Sequence, residues 1–152
     1  MEENAVKKAR TLHEFSGLPT IADDTGLEVD YLNGRPGVFS SRYASEHASY
    51  EENVRKLLAD LEGVPREKRQ ARFRCVVAFC DESQTRTFEG VCEGEILGRP
   101  KGQTGFGYDP VFWVPAYGLT FAEMPVEQKN RISHRGEAFR KLKAFLESDH
   151  GS

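Results

Sequence analysis

Three short segments bring together residue types that can do chemistry. The first is Asp23-Asp24-Thr25-Gly26. Two adjacent carboxylates at the end of the apolar run Pro19–Ala22 repel each other, and folding gains nothing from that. A divalent cation relieves the repulsion, and carboxylate oxygen is the hard ligand that Mg²⁺ prefers. Thr25 and Gly26 then read as a tight exit whose backbone N–H groups can face a phosphate. A plain acidic turn explains the same residues. The second segment is Gly105-Phe106-Gly107-Tyr108-Asp109-Pro110. Two glycines flank an aromatic, so backbone can approach a flat ligand while the ring stacks on it. Asp109 adds an acceptor for N–H groups on a base edge. The competing reading is a glycine-rich turn carrying core aromatics. The third segment runs from Lys129 to Arg135, K-N-R-I-S-H-R. Lys129, Arg131 and Arg135 supply cations suited to a polyphosphate, and Ser133 and His134 add hydrogen-bonding groups. A solvated helix face is the alternative, and His134 taken alone reads as structural.

These segments need elements to position them. Ala5, Ala9, Leu12 and Phe15 recur at helical steps, which predicts a helix over Glu3–Ser16 with Gly17 closing it. Pro19–Ala22 predicts a short buried strand. Leu27, Val29 and Tyr31 alternate with Glu28 and Asp30 as a second, half-buried one, ending in an Asn33-Gly34 turn. Ser49 and Glu52 form an S-x-x-E capping box, opening a helix to Leu61 that Gly63 and Pro65 stop. Arg72–Cys80 predicts a strand with Phe73, Cys75, Val77 and Phe79 on one face, and Thr85–Leu97 is its expected antiparallel partner. A glycine-rich loop and an apolar strand, Val111–Val114, follow. The C-terminal part predicts helix with Pro125 near its start; whether 130–135 interrupts it is left open. Residues 34–42 read either as a structural loop or as one approaching a ligand.

The 152 residues fit one domain, expected over 1–148, with 149–152 a frayed tail or expression remnant. A net charge of −3 argues against bulk electrostatic capture of nucleic acid or an anionic membrane. No apolar run reaches the roughly 18 residues of a membrane span. Cys75, Cys80 and Cys92 lack zinc-type spacing and read as reduced, buried thiols of a cytoplasmic protein. Alternating strands and helices predict an α/β or α+β domain around one twisted sheet.

The ordered set Glu3-Asn4-Ala5…Lys8-Ala9, Ala22–Leu27, Gly34–Val38 with Ser41-Arg42-Tyr43, Phe106–Pro110, and Lys129-Asn130…Ser133-His134-Arg135 closely resembles the Ham1 family, the inosine triphosphate (dITP/XTP) pyrophosphatases. The resemblance runs from Glu3 to about Leu146. It implies a long twisted mixed sheet with flanking helices, two lobes around a central cleft, a homodimer and a Mg²⁺ cofactor. It implies hydrolysis of ITP, dITP and XTP to the monophosphate and pyrophosphate. By this resemblance Asp24 is the metal ligand and proton acceptor, supported by Asp23. Thr25 contacts substrate; Phe106, Gly107, Tyr108 and Asp109 hold the base. Lys129 contacts the nucleotide, and His134 and Arg135 read the 6-keto edge of the purine or the adjoining phosphates.

One departure accompanies the resemblance. Family members begin with a strand and a Thr/Ser-x-Asn-x-x-Lys phosphate-binding loop, then a helix, a second strand and an acidic metal ligand. This chain starts where the family's second helix starts, so it reads as N-terminally truncated. That leaves an alternative expectation beside the enzyme: a nucleotide-binding module of the same fold with impaired catalysis.

Overall fold

The computed structural model describes residues 1–102 and 106–150, with backbone alone for 149 and 150. Gly105 therefore lies outside the described residues. The elements are α1 (Glu2–Ser16), β1 (Thr20–Val29), β2 (Arg35–Pro36), α2 (Tyr50–Asp60), β3 (Gln70–Cys80), β4 (Thr85–Ile96), β5 (Phe112–Val114), β6 (Leu119–Thr120), α3 (Val126–Ile132) and α4 (His134–His150), joined partly by 3₁₀ turns. The strands form a six-stranded sheet in the order β2-β1-β3-β4-β5-β6. Each pairing among these strands is antiparallel, where a mixed sheet was expected.

β3 is the organising strand. Its alternation puts Cys75, Val77 and Phe79 on one face, against Ala138 and Leu142 of α4. Val76, Ala78 and Cys80 face the other way, against Ala5 and Ala9 of α1. The two helices thus cover opposite faces, and Cys75 and Cys80 are separated by the sheet, as their spacing predicts. Further along the α4 face, Leu27, Val29, Phe73, Phe112 and Phe121 join Val54, Leu57 and Leu61 in the main core. Burying each large apolar side chain there contributes about 2 kcal/mol. The opposite face beyond α1 is polar: Arg72 pairs with Glu28, Asp30 and Glu93, and Arg74 with Glu28 and Glu89.

Two local expectations are corrected. The pair of short strands separated by a turn at Asp23–Gly26 is one continuous strand, in register with β3 from Thr20↔Cys80 to Val29↔Ala71. A full ladder with β3 overrides the poor strand propensity of Asp-Asp-Thr-Gly. Gly26 serves close approach rather than a turn, because a Cβ there would lie 2.4 Å from the Gly37 carbonyl oxygen. The helical stripe of α1 is half used: Ala5 and Ala9 are buried, but Leu12 and Phe15 are 50% and 92% exposed. The sheet surface under α1 meets the two alanines, with Met1 and Val6 partly buried beside them.

The capping box of α2 is present, with Ser49 Oγ accepting from Glu52 N–H and the Glu52 carboxylate from Ser49 N–H. The open question at 130–135 is settled by Ser133, whose extended backbone (ψ 153°) separates α3 from α4. Asp149 and His150 continue α4 rather than forming a tail.

Candidate active site

A single hollow of about 610 Å³ gathers the three sequence segments. Its lining includes Asp23, Asp24 and Thr25 of β1, Phe106–Asp109 of the aromatic loop, and Lys129, His134 and Arg135 of the last two helices. The volume lies within the range of small-molecule sites. Of the cations in the third segment, Arg131 is exposed and does not line the hollow.

The two carboxylates do not stand side by side. Successive residues of a strand point to opposite faces, and β1 is a strand throughout. Asp24 turns to the α1 face, where its Oδ2 accepts from Asn4 Nδ2 at 3.2 Å. Asp23 turns to the α4 face, where its Oδ2 accepts from Arg135 Nη1 at 3.0 Å. The hollow reaches both because β2 pairs only with Glu28 and Val29 of β1, leaving the outer edge beside Asp23 and Asp24 without a strand among the described residues. Lys8 reaches that edge from α1 and donates to the Asp23 carbonyl at 3.1 Å. Each carboxylate has its own partner, Asn4 for Asp24 and Arg135 for Asp23. Thr25 lies on the α4 face with its side chain hydrogen-bonded to Cys75, whose thiol burial pushes up.

The base-sized end is built around His134. Gly90 on β4 lets the start of α4 lie on the sheet; a Cβ there would meet the His134 carbonyl oxygen at 1.9 Å and Ala138 N at 2.7 Å. Seated this way, the imidazole stacks on Phe73 (centroids 4.7 Å apart, planes at 18°) and more distantly on Phe121 (6.2 Å, 13°). The ring is buried, and its Nδ1 has no hydrogen-bond partner among the described residues. Burial above all, then the nearby Lys129 and Arg135 cations, pulls its pKa from the ordinary 6.5 down to about 4. His134 is therefore a neutral imidazole near pH 7, with one donor and one acceptor nitrogen. The residue that looked structural in isolation is the buried polar group with an unmet hydrogen bond at the wall of the hollow.

Asp109 is placed differently from an open acceptor for a base edge. It is buried, and its Oδ2 accepts from Phe106 N–H at 3.1 Å and from Lys129 Nζ at 2.6 Å. The pair fixes the aromatic loop to α3, and the Lys129 ammonium lies 5.0 Å from the Phe106 ring centroid. Tyr108 lines the hollow but is buried in the core: its hydroxyl donates to the Ser40 carbonyl at 2.6 Å, and burial pushes its phenol pKa up. Phe106 itself is 62% exposed, free to take a flat partner.

Sequence reasoning missed several residues around the hollow. Ser40 accepts from Leu27 N–H at 2.9 Å and donates to the Gly37 carbonyl at 2.6 Å, tying the 3₁₀ turn Gly37–Arg42 to β1. Asn53, 2% exposed, binds the Ser41 carbonyl and Ala44 N–H and ties the same turn to α2. The loop at 34–42 thus does both jobs left open: it is pinned structurally, and Ser40 and Ser41 face the ligand space. An asparagine among Val54, Leu57 and Leu61 was the available signal. Lys8, Tyr50 and Phe73 also line the hollow.

No group of three or more His, Cys, Asp or Glu among the described residues is arranged to hold a metal. A hard cation that binds through one carboxylate, waters and substrate phosphates still fits Asp24, whose carboxylate meets the neutral Asn4 amide rather than a cationic side chain. Among the described residues no helix is long and apolar enough to cross a membrane.

Comparison with known proteins agrees with this geometry. The Ham1 family profile matches residues 1–145. The chain is 53% identical over 146 residues to a dITP/XTP pyrophosphatase of Thermoanaerobacter sp. (strain X514), covering 96% of this chain and 74% of the relative. It is 54% identical over 147 residues to the dITP/XTP pyrophosphatase of Bacillus licheniformis, covering 96% and 75%. Among solved structures, the Staphylococcus aureus Ham1 protein superposes with a TM-score of 0.93 at 44% identity, over 97% of this chain and 77% of that one. A Coxiella burnetii HAM1 protein superposes with a TM-score of 0.92 at 45% identity, over 97% and 76%. A match over nearly the whole chain, with the motif residues gathered in one hollow, shows that the chain belongs to the Ham1 family.

Proposed function

We propose that this chain is a Mg²⁺-dependent nucleoside triphosphate pyrophosphatase that hydrolyses dITP, ITP and XTP to the monophosphate and pyrophosphate. The observation that carries the reading is the shared hollow, which is lined by Asp24 and Lys8, by Phe106 and the neutral His134, and by Arg135 ion-paired to Asp23. Relatives about half identical over nearly all of this chain are dITP/XTP pyrophosphatases, which supports it.

Each residue then has a task its surroundings suit. Phe106 stacks on the purine. Lys129, neutralised in part by Asp109, closes the base end and keeps the loop in place. His134 and Arg135 present donors to an oxygen at purine position 6. Adenine carries an amino donor there, so donor would face donor, and a buried unmet group costs about 1–3 kcal/mol. Asp23 holds the Arg135 guanidinium by one 3.0 Å bond. Asp24 takes the proton from the water that cleaves the α,β phosphoanhydride bond, and it would hold Mg²⁺ together with the substrate phosphates. The cation when bound neutralises charge on the phosphate oxygens. Lys8 adds positive charge at the same strand edge. The reading carries the family's homodimer with it, which light scattering measures.

The test is pyrophosphate release from dITP and from dATP with Mg²⁺, detected as orthophosphate after added inorganic pyrophosphatase. Release from dITP far above dATP is expected. Orthophosphate release without the added enzyme, or equal rates on both nucleotides, refutes the assignment. One observation favours a second reading: the described residues hold no multi-carboxylate metal cluster. A nucleotide-binding module would bind inosine nucleotides and release nothing.

A further inference from the structure

Tyr50 is the first residue of α2, and its ring is 57% exposed although the helix buries Val54 and Leu57. It contributes nothing to the core clusters and takes no part in the Ser49–Glu52 cap. Its ring instead faces Phe106 across the mouth of the hollow, with centroids 6.3 Å apart and planes at 39°. A flat base between two parallel rings needs about 7 Å, twice a carbon contact of about 3.5 Å. The gap is slightly short of that. Both side chains are more than half exposed, so rotamer changes on the picosecond-to-nanosecond scale can open and align them.

Resting on the pyrophosphatase reading, we propose that Tyr50 is a second base-stacking residue, which with Phe106 clamps the purine from both faces. Stacking engages the π-face that every base has, so the clamp adds affinity without choosing among bases. Choice stays with the donors at His134 and Arg135. The clamp also joins the start of α2 to the aromatic loop, which already meet at the Tyr50–Phe106 ring pair. Tyr50 is held by α2, whose capping box and buried Asn53 fix it to the protein. Phe106 is held by its own N–H on Asp109.

The experiment compares Tyr50→Leu, Tyr50→Phe and Phe106→Leu with the wild type by calorimetric titration of inosine monophosphate and of inorganic pyrophosphate. It adds KM and kcat on dITP and dATP. For Tyr50→Leu the expected results are a Kd for inosine monophosphate raised between about fivefold and a hundredfold, and a higher KM for both triphosphates. The ratio of kcat/KM for dITP to that for dATP stays unchanged, as does pyrophosphate affinity. Tyr50→Phe keeps wild-type affinity. If Phe106→Leu weakens inosine monophosphate binding and Tyr50→Leu does not, the clamp is refuted while the pyrophosphatase reading stands. If Tyr50→Leu weakens pyrophosphate binding equally, Tyr50 acts on the fold and the clamp is again refuted. If the wild type neither binds inosine monophosphate nor cleaves dITP, the underlying reading falls first.

Discussion

At pH 8 the buried His134 imidazole is neutral, and acidification sets its cost. In the unfolded chain it binds a proton near the ordinary 6.5; in the folded chain burial beside Lys129 and Arg135 delays that to about 4. Between those two values the unfolded state holds more protons, so stability falls as pH falls. Above about pH 7.5 neither state is charged at this ring and the effect is absent. Below about pH 4 both are charged and the loss levels off. At about 1.4 kcal/mol per tenfold, the full loss is about 3 kcal/mol, a large part of an ordinary domain's stability. His134→Gln removes the titration while keeping a polar side chain of similar reach. Urea unfolding of both proteins, followed by fluorescence of the sole tryptophan, Trp113, is measured at intervals from pH 8 to pH 4. Subtracting one curve from the other cancels the carboxylates and the remaining histidines. The wild type's relative stability is expected to be flat down to about pH 7 and then to drop by about 3 kcal/mol by pH 4. A proton NMR titration gives an independent check, with one imidazole failing to titrate above pH 5. A flat difference across the whole range, or four imidazoles all titrating near 6.5, would refute the buried neutral histidine and with it the donor assigned to the purine edge.

Three further outcomes follow from the same geometry. Lys129→Met strands the Asp109 carboxylate, which is 6% exposed on its side chain, and is expected to cost about 3–5 kcal/mol by urea unfolding. Adding Asp109→Asn should recover most of that, because the amide oxygen still accepts from Phe106 N–H; no recovery would mean the pair is not what holds the loop. Gly90→Ala pushes a methyl into the His134 carbonyl, so it should destabilise by about 1–3 kcal/mol or more and lower turnover by displacing the start of α4; thermal melting with unchanged midpoint would contradict the close approach. Asp24→Asn keeps the shape and the strand but removes the proton acceptor, so kcat on dITP should fall by about 10²–10⁴-fold with unfolding behaviour near wild type; wild-type turnover would eliminate Asp24 from the chemistry.

What was legible in the sequence was periodic or local. The alternation of Phe73, Cys75, Val77 and Phe79 predicted one face of β3, and Ser49 with Glu52 predicted the start of α2. The three chemical segments were visible as residue types, and they do meet. What failed was the local geometry of Asp23–Gly26. Propensity reads those residues as a turn, but the partner that makes them a strand, β3, lies about fifty residues away. Asp109 was misplaced for a similar reason, since its cation comes from α3, twenty residues on. Reading β1 as a strand changes how the site can work. A strand paired on both sides would put Asp23 and Asp24 in separate compartments, one under each face, with the sheet between them. Among the described residues β2 reaches only Glu28 and Val29, and one hollow is lined by both Asp23 and Asp24. The α4 face of β1 there offers Arg135 and His134, and the α1 face offers Asp24 with Asn4. Base reading and proton transfer are thus assigned to opposite faces of a single strand.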